Sequence, residues 1–226
     1  MSRPGSLYSS TVGKKFVMAL SGVILIGFVV VHMLGNLKVY QGPEAFNHYA
    51  EWLREVGDPL FGRGQLLWLA RIILLAAVVL HIVAAAQLTL RSRAARRAGY
   101  RKFESLTFSY ASRTMVWGGV IILLFVIYHL MHLTFGNAHP AFVPGDVYRN
   151  FVLGFNQWPV SAAYIAAMVP LGFHLYHGIW SMLQTLGANN PRFNRVRRPA
   201  AALIAGFIIA GNISFPVAVL TGILTV

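Results

Sequence analysis

The sequence predicts an all-α integral membrane bundle of five transmembrane helices. Of its 226 residues, 57% are hydrophobic and only 11% are charged, whereas a typical soluble domain is about 45–50% apolar and about 25% charged. Five stretches reach the roughly 20 apolar residues that a bilayer-spanning helix needs. Positive charge is concentrated in alternate connections between these stretches, which is typical of multi-pass membrane proteins.

The predicted spans cover residues 16–37, 66–90, 114–135, 158–183 and 199–220. The first span follows Lys14 and Lys15, as the apolar core of a signal peptide would. Its apolar run is longer than the usual core of about 7–15 residues, so we expect a retained helix. The connections are too short for a second domain, and residues 1–226 are expected to form a single transmembrane domain.

The basic residues orient the predicted bundle. The N-terminal segment and the second and fourth connections carry 14 basic residues and one acid, whereas the opposite side carries five of each. The net charge of +13 therefore lies on one face. By the positive-inside rule that face is cytoplasmic, which places the N-terminus inside and the C-terminus outside. Because the basic residues flank apolar spans, we expect a lipid bilayer and no nucleic acid as partner.

The connection between the first two spans has an amphipathic pattern. Apolar residues recur there at helical spacing after Pro43, which predicts a short helix lying at the membrane interface. The recurring residues are Phe46, Tyr49, Ala50, Leu53 and Val56.

The chain contains no cysteine, which excludes disulfides, thiolate-bound iron–sulfur clusters and covalently attached haem. Histidine is the remaining candidate ligand for a redox cofactor. An ionisable side chain inside a bilayer is costly and indicates a functional site, although a hydrogen bond between helices is the alternative role for any one histidine. Six of the eight histidines lie in or at the end of apolar spans: His32, His81, His129, His132, His174 and His177.

Depth along the helices groups four of these histidines into two pairs. At about 1.5 Å per residue, His32 and His129 lie about 24 Å and about 23 Å from the cytoplasmic ends of their spans. His81 lies about 15 Å and His177 about 9–15 Å from theirs. Two axial imidazoles of one iron must lie at equal depth on different helices. The pattern therefore predicts non-covalent b-type haems held by His32 with His129 and by His81 with His177.

The other two histidines fit these levels less well and are the alternative ligands. His174 lies about 20 Å and His132 about 28 Å from the cytoplasmic ends of their spans. Several glycines near the histidines could let a planar macrocycle approach the backbone, although small residues in membrane helices more often serve helix packing. These glycines are Gly22, Gly27, Gly35, Gly118, Gly119, Gly172 and Gly178.

Two segments of the chain carry a resemblance to a known family. The first is S-x-x-G-K-K-F-V-M-A-L-S-G over residues 10–22, followed by V-H-M-L-G-N-L over residues 31–37. The second is F-H-L-Y-H-G-I-W-S-M-L-Q-T-L-G over residues 173–187. The chain resembles the cytochrome b558 subunit of succinate dehydrogenases, a di-haem, five-helix membrane anchor. The resemblance implies one axial histidine on each of the first four helices: His32, His81, His129 and His177.

The resemblance also implies a function and partners. A flavoprotein and an iron–sulfur protein would bind the cytoplasmic face of a bacterial cytoplasmic membrane. Electrons would pass from the iron–sulfur protein to an inner haem at His81 and His177, then to an outer haem at His32 and His129. They would finally reduce a quinone, with menaquinone favoured over ubiquinone.

The outer acidic residues Glu51, Glu55 and Asp58 are candidates for the proton path of a quinone site. Solvated charges on an interfacial helix are the alternative interpretation. Arg71 is expected to pair with a haem propionate or one of these acids, or to extend to the interface. His139 lies in an outer loop and is assigned no haem role.

Other functions remain open from the sequence. The chain could be the anchor of a fumarate reductase or of another quinone-linked cytochrome b. A haem-free transporter that uses histidines as proton relays is a further alternative. At ligand level, we expect His177→Ala to remove the inner haem and His174→Ala to retain it.

Overall fold

The computed structural model describes residues 7–95 and 110–226. These residues form α-helices and short 3-10 helices, without a β-strand, which confirms the predicted all-α class. The α-helices are α1 Thr11–Asn36, α2 Pro43–Glu55, α3 Gln65–Ala94, α4 Tyr110–Leu133, α5 Val147–Asn156, α6 Trp158–Thr185 and α7 Pro191–Leu220. The 3-10 helices are Leu7–Ser9 and Leu37–Gln41.

Five helices among the described residues are long and apolar enough to cross a membrane. Each overlaps one of the five predicted spans, so the predicted number of spans is confirmed. The chain is a multi-pass membrane protein, as its exposed apolar surface also indicates. The spanning segments are Thr11–Gln41, Gln65–Ala94, Thr114–Leu133, Trp158–Thr185 and Pro191–Leu220.

The largest difference in bounds is at α7, which begins at Pro191 and not near Pro199. The side chain of Asn190 accepts hydrogen bonds from the backbone N–H groups of Arg192 and Phe193. Pro191 occupies the first turn, where its missing N–H costs nothing. This cap starts the helix before the membrane, and α7 continues through Pro199.

The two short helices lie at the predicted outer end of the bundle. The interfacial helix expected after Pro43 is present as α2, with Phe46 buried. The sequence did not predict α5, whose first turn is capped by the Asp146 side chain. Asn47 joins the two helices, because its amide donates to Asp146 and accepts from the Tyr148 backbone N–H. Together α2 and α5 cover one end of the bundle.

The long helices pack in an order that leaves α3 and α4 at opposite edges. Among the described residues, α6 packs against α7 and α4, and α1 packs against α3. Buried Ala201 and Ala205 let α7 approach α6 closely. At the α1–α3 contact the buried ammonium of Lys14 donates to the Gln87 side chain. Apolar residues such as Leu75, which is 66% exposed, suit contact with lipid.

The orientation in the membrane stays a prediction, and the absence of cysteine makes it testable. We expect Ala141→Cys, in the exposed α4–α5 connection, to react with a membrane-impermeant maleimide in intact cells. Asn189→Cys, in the α6–α7 connection, should react only after lysis. Ala201→Cys, at a buried position, is the unreactive control. The reverse pattern for Ala141→Cys and Asn189→Cys would overturn the positive-inside assignment.

Candidate functional site

The histidines of α1 and α4 meet toward the predicted outside of the bundle. The ring centroids of His32 and His129 are 5.8 Å apart and the rings are nearly perpendicular, at 88°. Along their described residues, α1 and α4 do not pack closely against each other, so these imidazoles bridge a gap between two helices. We call them the outer pair. They are the two residues that the sequence places together at this level.

The histidines of α3 and α6 meet nearer the predicted cytoplasmic side. The ring centroids of His81 and His174 are 6.1 Å apart, and α3 and α6 do not otherwise pack closely in the described structure. We call His81 and His174 the inner pair. The sequence paired His81 with His177, whose ring lies instead against Trp180 at 5.5 Å.

The bounds of α3 explain this difference. The sequence ended the second span near residue 90, but α3 continues to Ala94. Measured from Ala94 at about 1.5 Å per residue, His81 lies about 20 Å from the predicted cytoplasmic end of its helix. Measured from Thr185, where α6 ends, His174 lies about 17 Å and His177 about 12 Å from the same side, so His174 is closer in depth to His81. Depth and ring proximity therefore both favour His174 beside His81, and the identity of the ligand stays a prediction.

The inner pair is held by hydrogen bonds on one imidazole and flanked by two glycines. His81 Nδ1 lies 3.2 Å from the Met18 carbonyl oxygen and 3.3 Å from Ser21 Oγ. A carbonyl only accepts, so Nδ1 carries the proton and Nε2 keeps its lone pair. A Cβ at Gly22 would lie 3.7 Å from His81 Cε1, and one at Gly119 would lie 3.8 Å from His174 Cε1.

The remaining glycines near the histidines form two groups: those that lie against a neighbouring helix and those that have open space beside them. Three of them lie against side chains of neighbouring helices and serve packing: Gly35 faces Tyr49, Gly118 faces Pro170 and Gly172 faces Ile209. Gly27 and Gly178 have no described atom within 4 Å of an added Cβ.

The outer pair has its own hydrogen bonds. The Asn36 side-chain amide donates to His32 Nε2 over 3.2 Å, and Phe28 stacks on the His32 ring at 5.2 Å. His129 Nδ1 lies 3.3 Å from the hydroxyl of Tyr164, a buried residue of α6. The contact engages Nδ1 of His129 and leaves Nε2 as the nitrogen that would bind a metal.

His132, an alternative ligand in the sequence, lies in a separate aromatic cluster. It is fully buried, and its ring stacks on Tyr128 at 5.6 Å and on His139 at 5.0 Å. Its Nδ1 lies 3.0 Å from the Tyr164 hydroxyl. His139 is also buried, and sequence reasoning missed its place here because it did not predict α5, whose residue Asn150 accepts from His139 Nε2.

Several buried polar nitrogens lack a hydrogen-bond partner among the described residues. Nδ1 of His174, Nδ1 of His177 and Nε2 of His132 are three of them, and Nε and Nη1 of Arg197 are the others. A buried polar group without a partner is costly, and a buried unpaired charge is more so. Arg197 continues the buried stripe of α7 near the N-terminus of that helix, its predicted cytoplasmic end. These atoms mark places where a bound group could supply the missing interaction.

The outer acids are placed differently from the histidines. Glu51 forms ion pairs with Arg63 and Arg54, while Glu55 and Asp58 are exposed. No hydrogen bond or ion pair in the described residues joins these acids to the outer pair.

Arg71 does not form the ion pair that was one of its expected roles. Its guanidinium lies 4.8 Å from the centre of the Trp68 ring, and the residue is exposed. Within the part of the chain described, no ion pair joins Arg71 to an outer acid. Its position agrees with the alternative of a side chain that extends to the interface.

A cleft of about 200 Å³ opens beside the inner pair, between α4 and α6. It is lined by His174 and Gly118 together with apolar residues that include Trp117, Pro170 and Phe173. A larger cleft, of about 290 Å³, lies between α1 and α6 and is lined by Lys15, Ser181 and Gln184 among others.

Comparison with known families identifies the chain. Residues 91–213 match the family described as succinate dehydrogenase/fumarate reductase transmembrane subunit, which is just over half of the chain. The chain belongs to this family. The matched region contains His129, His132, His174 and His177. No curated protein and no solved structure matches the chain.

A succinate dehydrogenase/fumarate reductase transmembrane subunit is part of an enzyme complex and works with catalytic partner subunits. Members of the family commonly bind haem and quinone. The residues of this subunit fit b-type haem in three respects. Imidazoles from unpacked helices face each other, the His81 and His129 rings are held through Nδ1, and glycines flank the inner pair.

The packing of the His132 cluster in this transmembrane subunit gives a stability prediction. A Cβ at Gly154 would lie 2.7 Å from His132 Cε1 and 3.1 Å from His139 Nε2, and both rings are buried. We expect Gly154→Ala to lower the free energy of unfolding by about 1–3 kcal/mol, the usual cost of overpacking. The measurement is the Tm of the purified complex in detergent.

Gly206→Ala is the matched control, because this helical glycine of α7 has no described atom within 4 Å of an added Cβ. It should leave the Tm unchanged or raise it slightly, since alanine favours a helix. Equal Tm values for Gly154→Ala and the wild type would show that the cluster is looser than the structure indicates.

Proposed function

We propose that this chain is the di-haem cytochrome b anchor, of b558 type, of a succinate dehydrogenase in a bacterial cytoplasmic membrane. It would accept electrons from an iron–sulfur subunit and deliver them to a quinone, favouring menaquinone. One observation carries the proposal: imidazoles of four spanning helices meet as two pairs, in a chain of the succinate dehydrogenase/fumarate reductase transmembrane family.

His32 and His129 would be the axial ligands of the outer haem, and His81 and His174 those of the inner haem. His32 Nε2 accepts from the Asn36 amide in the structure and would give up that hydrogen bond to bind iron. The inner assignment follows ring proximity and replaces His177 by His174 in the proposal, with His177 kept as the competing ligand. When bound, haem supplies one-electron redox chemistry whose potential depends on the axial ligands and their surroundings.

The chain's own residues orient these ligands and keep water from them. The Met18 carbonyl holds His81 Nδ1–H, which fixes the imidazole tautomer and directs Nε2 away from α1. Tyr164 contacts Nδ1 of His129 in the corresponding way. The apolar spans around both pairs provide a low-dielectric environment, in which such hydrogen bonds are stronger than in water.

Arg197 supports a negatively charged group at the cytoplasmic end of the bundle. Its guanidinium is buried, with one nitrogen bonded to Asn194 and two nitrogens unpaired. The propionates of an inner haem are anions that would offset this buried charge.

The partners follow from the composition and from the charge distribution. A chain without cysteine cannot hold an iron–sulfur cluster by thiolates, so the cluster would belong to a second subunit and the flavin to a third. The basic face would bind them on the cytoplasmic side. Toward the outside, Glu55 and Asp58 are the exposed acids that could pass protons to a quinone, whereas Glu51 is paired with Arg63 and Arg54.

Purification tests the proposed complex. We expect the chain, extracted in mild detergent, to copurify with a flavoprotein and an iron–sulfur protein. The preparation should show a b-type α band in its reduced-minus-oxidised spectrum. Companions of another kind would contradict the succinate dehydrogenase assignment, and a spectrum without the band would contradict the haem assignment.

Alanine variants distinguish the two candidates for the inner ligand. We expect His174→Ala to reduce the haem content from two haems per chain to one, because it removes the imidazole facing His81. His177→Ala should retain both haems and is the matched control, one helical turn away. The ratio of haem to protein, measured from the pyridine haemochrome, shows which of the two histidines is the inner ligand. The reverse outcome would restore His177 as the ligand.

The outer pair can be tested as a unit. His32→Ala and His129→Ala should each remove one and the same haem, identified by its α-band maximum and midpoint potential. The double variant should lose no more than either single variant, since both side chains would hold one iron. Loss of different haems in the two single variants would refute the pairing.

A further inference from the structure

The hydroxyl of Tyr164 lies between two imidazoles of the neighbouring helix. It is 3.3 Å from His129 Nδ1 and 3.0 Å from His132 Nδ1. Tyr164 is 7% exposed, so no bulk water competes for these contacts. The two histidines are three residues apart on α4, and one residue of α6 thus contacts both.

Counting protons limits how the three groups can be arranged. A phenol has one O–H to donate and lone pairs to accept, and each neutral imidazole has one N–H and one acceptor nitrogen. If Tyr164 donates to His129, the proton of His129 lies on Nε2, which then cannot bind a metal. If His129 Nδ1–H donates to Tyr164, Nε2 keeps its lone pair, and the phenol proton can go to His132 Nδ1.

His132 is fixed by its surroundings. Its ring lies between Tyr128 and His139, stacked on each. His139 is itself held at both nitrogens, since Nδ1 accepts from the Ala141 backbone N–H over 3.2 Å and Nε2 donates to the Asn150 carbonyl over 2.9 Å. Nε2 of His132 has no hydrogen-bond partner among the described residues. With the His132 proton on that nitrogen, Nδ1 is an acceptor 3.0 Å from the Tyr164 hydroxyl.

We propose that Tyr164 is the positioning residue of the outer haem ligand, and that His132 is its support and not an alternative ligand. The Tyr164 hydroxyl accepts from His129 Nδ1–H, which sets the tautomer and ring orientation, and donates to His132 Nδ1. This inference rests on the proposed function, since it assumes that His129 binds iron through Nε2.

The two haem sites would then differ in the group that holds the ligand. His81 donates to a backbone carbonyl of Met18, with Ser21 beside it, whereas His129 donates to a side-chain hydroxyl. An acceptor at Nδ1 makes the imidazole a stronger donor to iron, which favours the ferric state. Removing the Tyr164 hydroxyl should weaken this effect at the outer haem and leave the inner haem as it is.

The test compares Tyr164→Phe with Tyr148→Phe in the purified complex. Tyr148 is equally buried, at 7% exposed, and its hydroxyl donates to the Thr225 carbonyl, away from the histidines. Both variants lose one buried hydroxyl. The readouts are haem content, the midpoint potential of each haem from an optical redox titration, and the low-temperature electron paramagnetic resonance spectrum of the ferric haems.

We expect both variants to retain two haems. In Tyr164→Phe the midpoint potential of the outer haem should rise and its ferric resonance should shift, with the inner haem unchanged. The outer haem is the one lost in His32→Ala. Tyr148→Phe should match the wild type. An unchanged outer potential in Tyr164→Phe, an equal shift in both variants, or a shift of the inner haem would overturn the inference.

His132→Phe provides a second test if Tyr164→Phe does not assemble. Phenylalanine can keep the stacking on Tyr128 and His139 but offers no acceptor to the Tyr164 hydroxyl. We expect the outer haem to be retained with a shifted potential, and loss of that haem would instead make His132 a ligand. An unchanged potential of the outer haem in His132→Phe would overturn the supporting role.

The wild-type complex separates failure of this inference from failure of the proposed function. A wild-type complex without b-type absorbance would refute the proposed function. A wild-type complex with two haems, together with an unchanged outer potential in Tyr164→Phe, would refute only this inference.

Discussion

Imidazole side chains inside an apolar membrane bundle need hydrogen-bond partners within the protein, and the candidate site depends on which groups supply them. A bilayer offers no water to a buried nitrogen. Here the hydrogen-bond partners are backbone carbonyls, a phenol and an amide: His81 bonds to the Met18 carbonyl, Tyr164 contacts His129, and Asn36 donates to His32. Some nitrogens, such as Nδ1 of His174, have no hydrogen-bond partner among the described residues.

The packing of the helices determines which imidazoles lie near each other. The contacts of α6 with α7 and α4, and of α1 with α3, hold the bundle together. The helices that present each pair of histidines are not those that pack closely. The paired rings therefore face each other across gaps, where Gly22 and Gly119 add no side chain. A planar macrocycle held between two imidazoles would need helices that do not pack closely against each other.

Hydropathy and loop charge were enough to predict the spans, because each helix satisfies its own backbone and crosses the bilayer almost independently of its neighbours. Depth along each predicted helix likewise paired His32 with His129. For His81 the structure departs from the predicted pairing: α3 continues past residue 90 to Ala94, and the ring of His174 lies beside His81. The choice between His174 and His177 as the inner ligand stays a prediction.

What the sequence could not predict depends on contacts between distant segments. The cluster around His132 needs α5, a ten-residue helix held by Asp146 and Asn47, and no local pattern shows that His139 would be buried beside it. The contact of Tyr164 with His129 depends on the relative rotation of α4 and α6, which periodicity along one helix cannot give. Side-chain hydrogen bonds between helices are therefore the features that the structure shows and that the sequence could not predict.

The central claim is that four imidazoles of this chain bind two haem irons. Near-infrared magnetic circular dichroism of the oxidised, purified complex tests it most directly, because the charge-transfer band of a low-spin ferric haem reports its axial ligands. The account predicts a band typical of bis-imidazole ligation, with an intensity equivalent to two haems per chain. A complex with no haem signal, or with a band typical of another ligand pair, would contradict it.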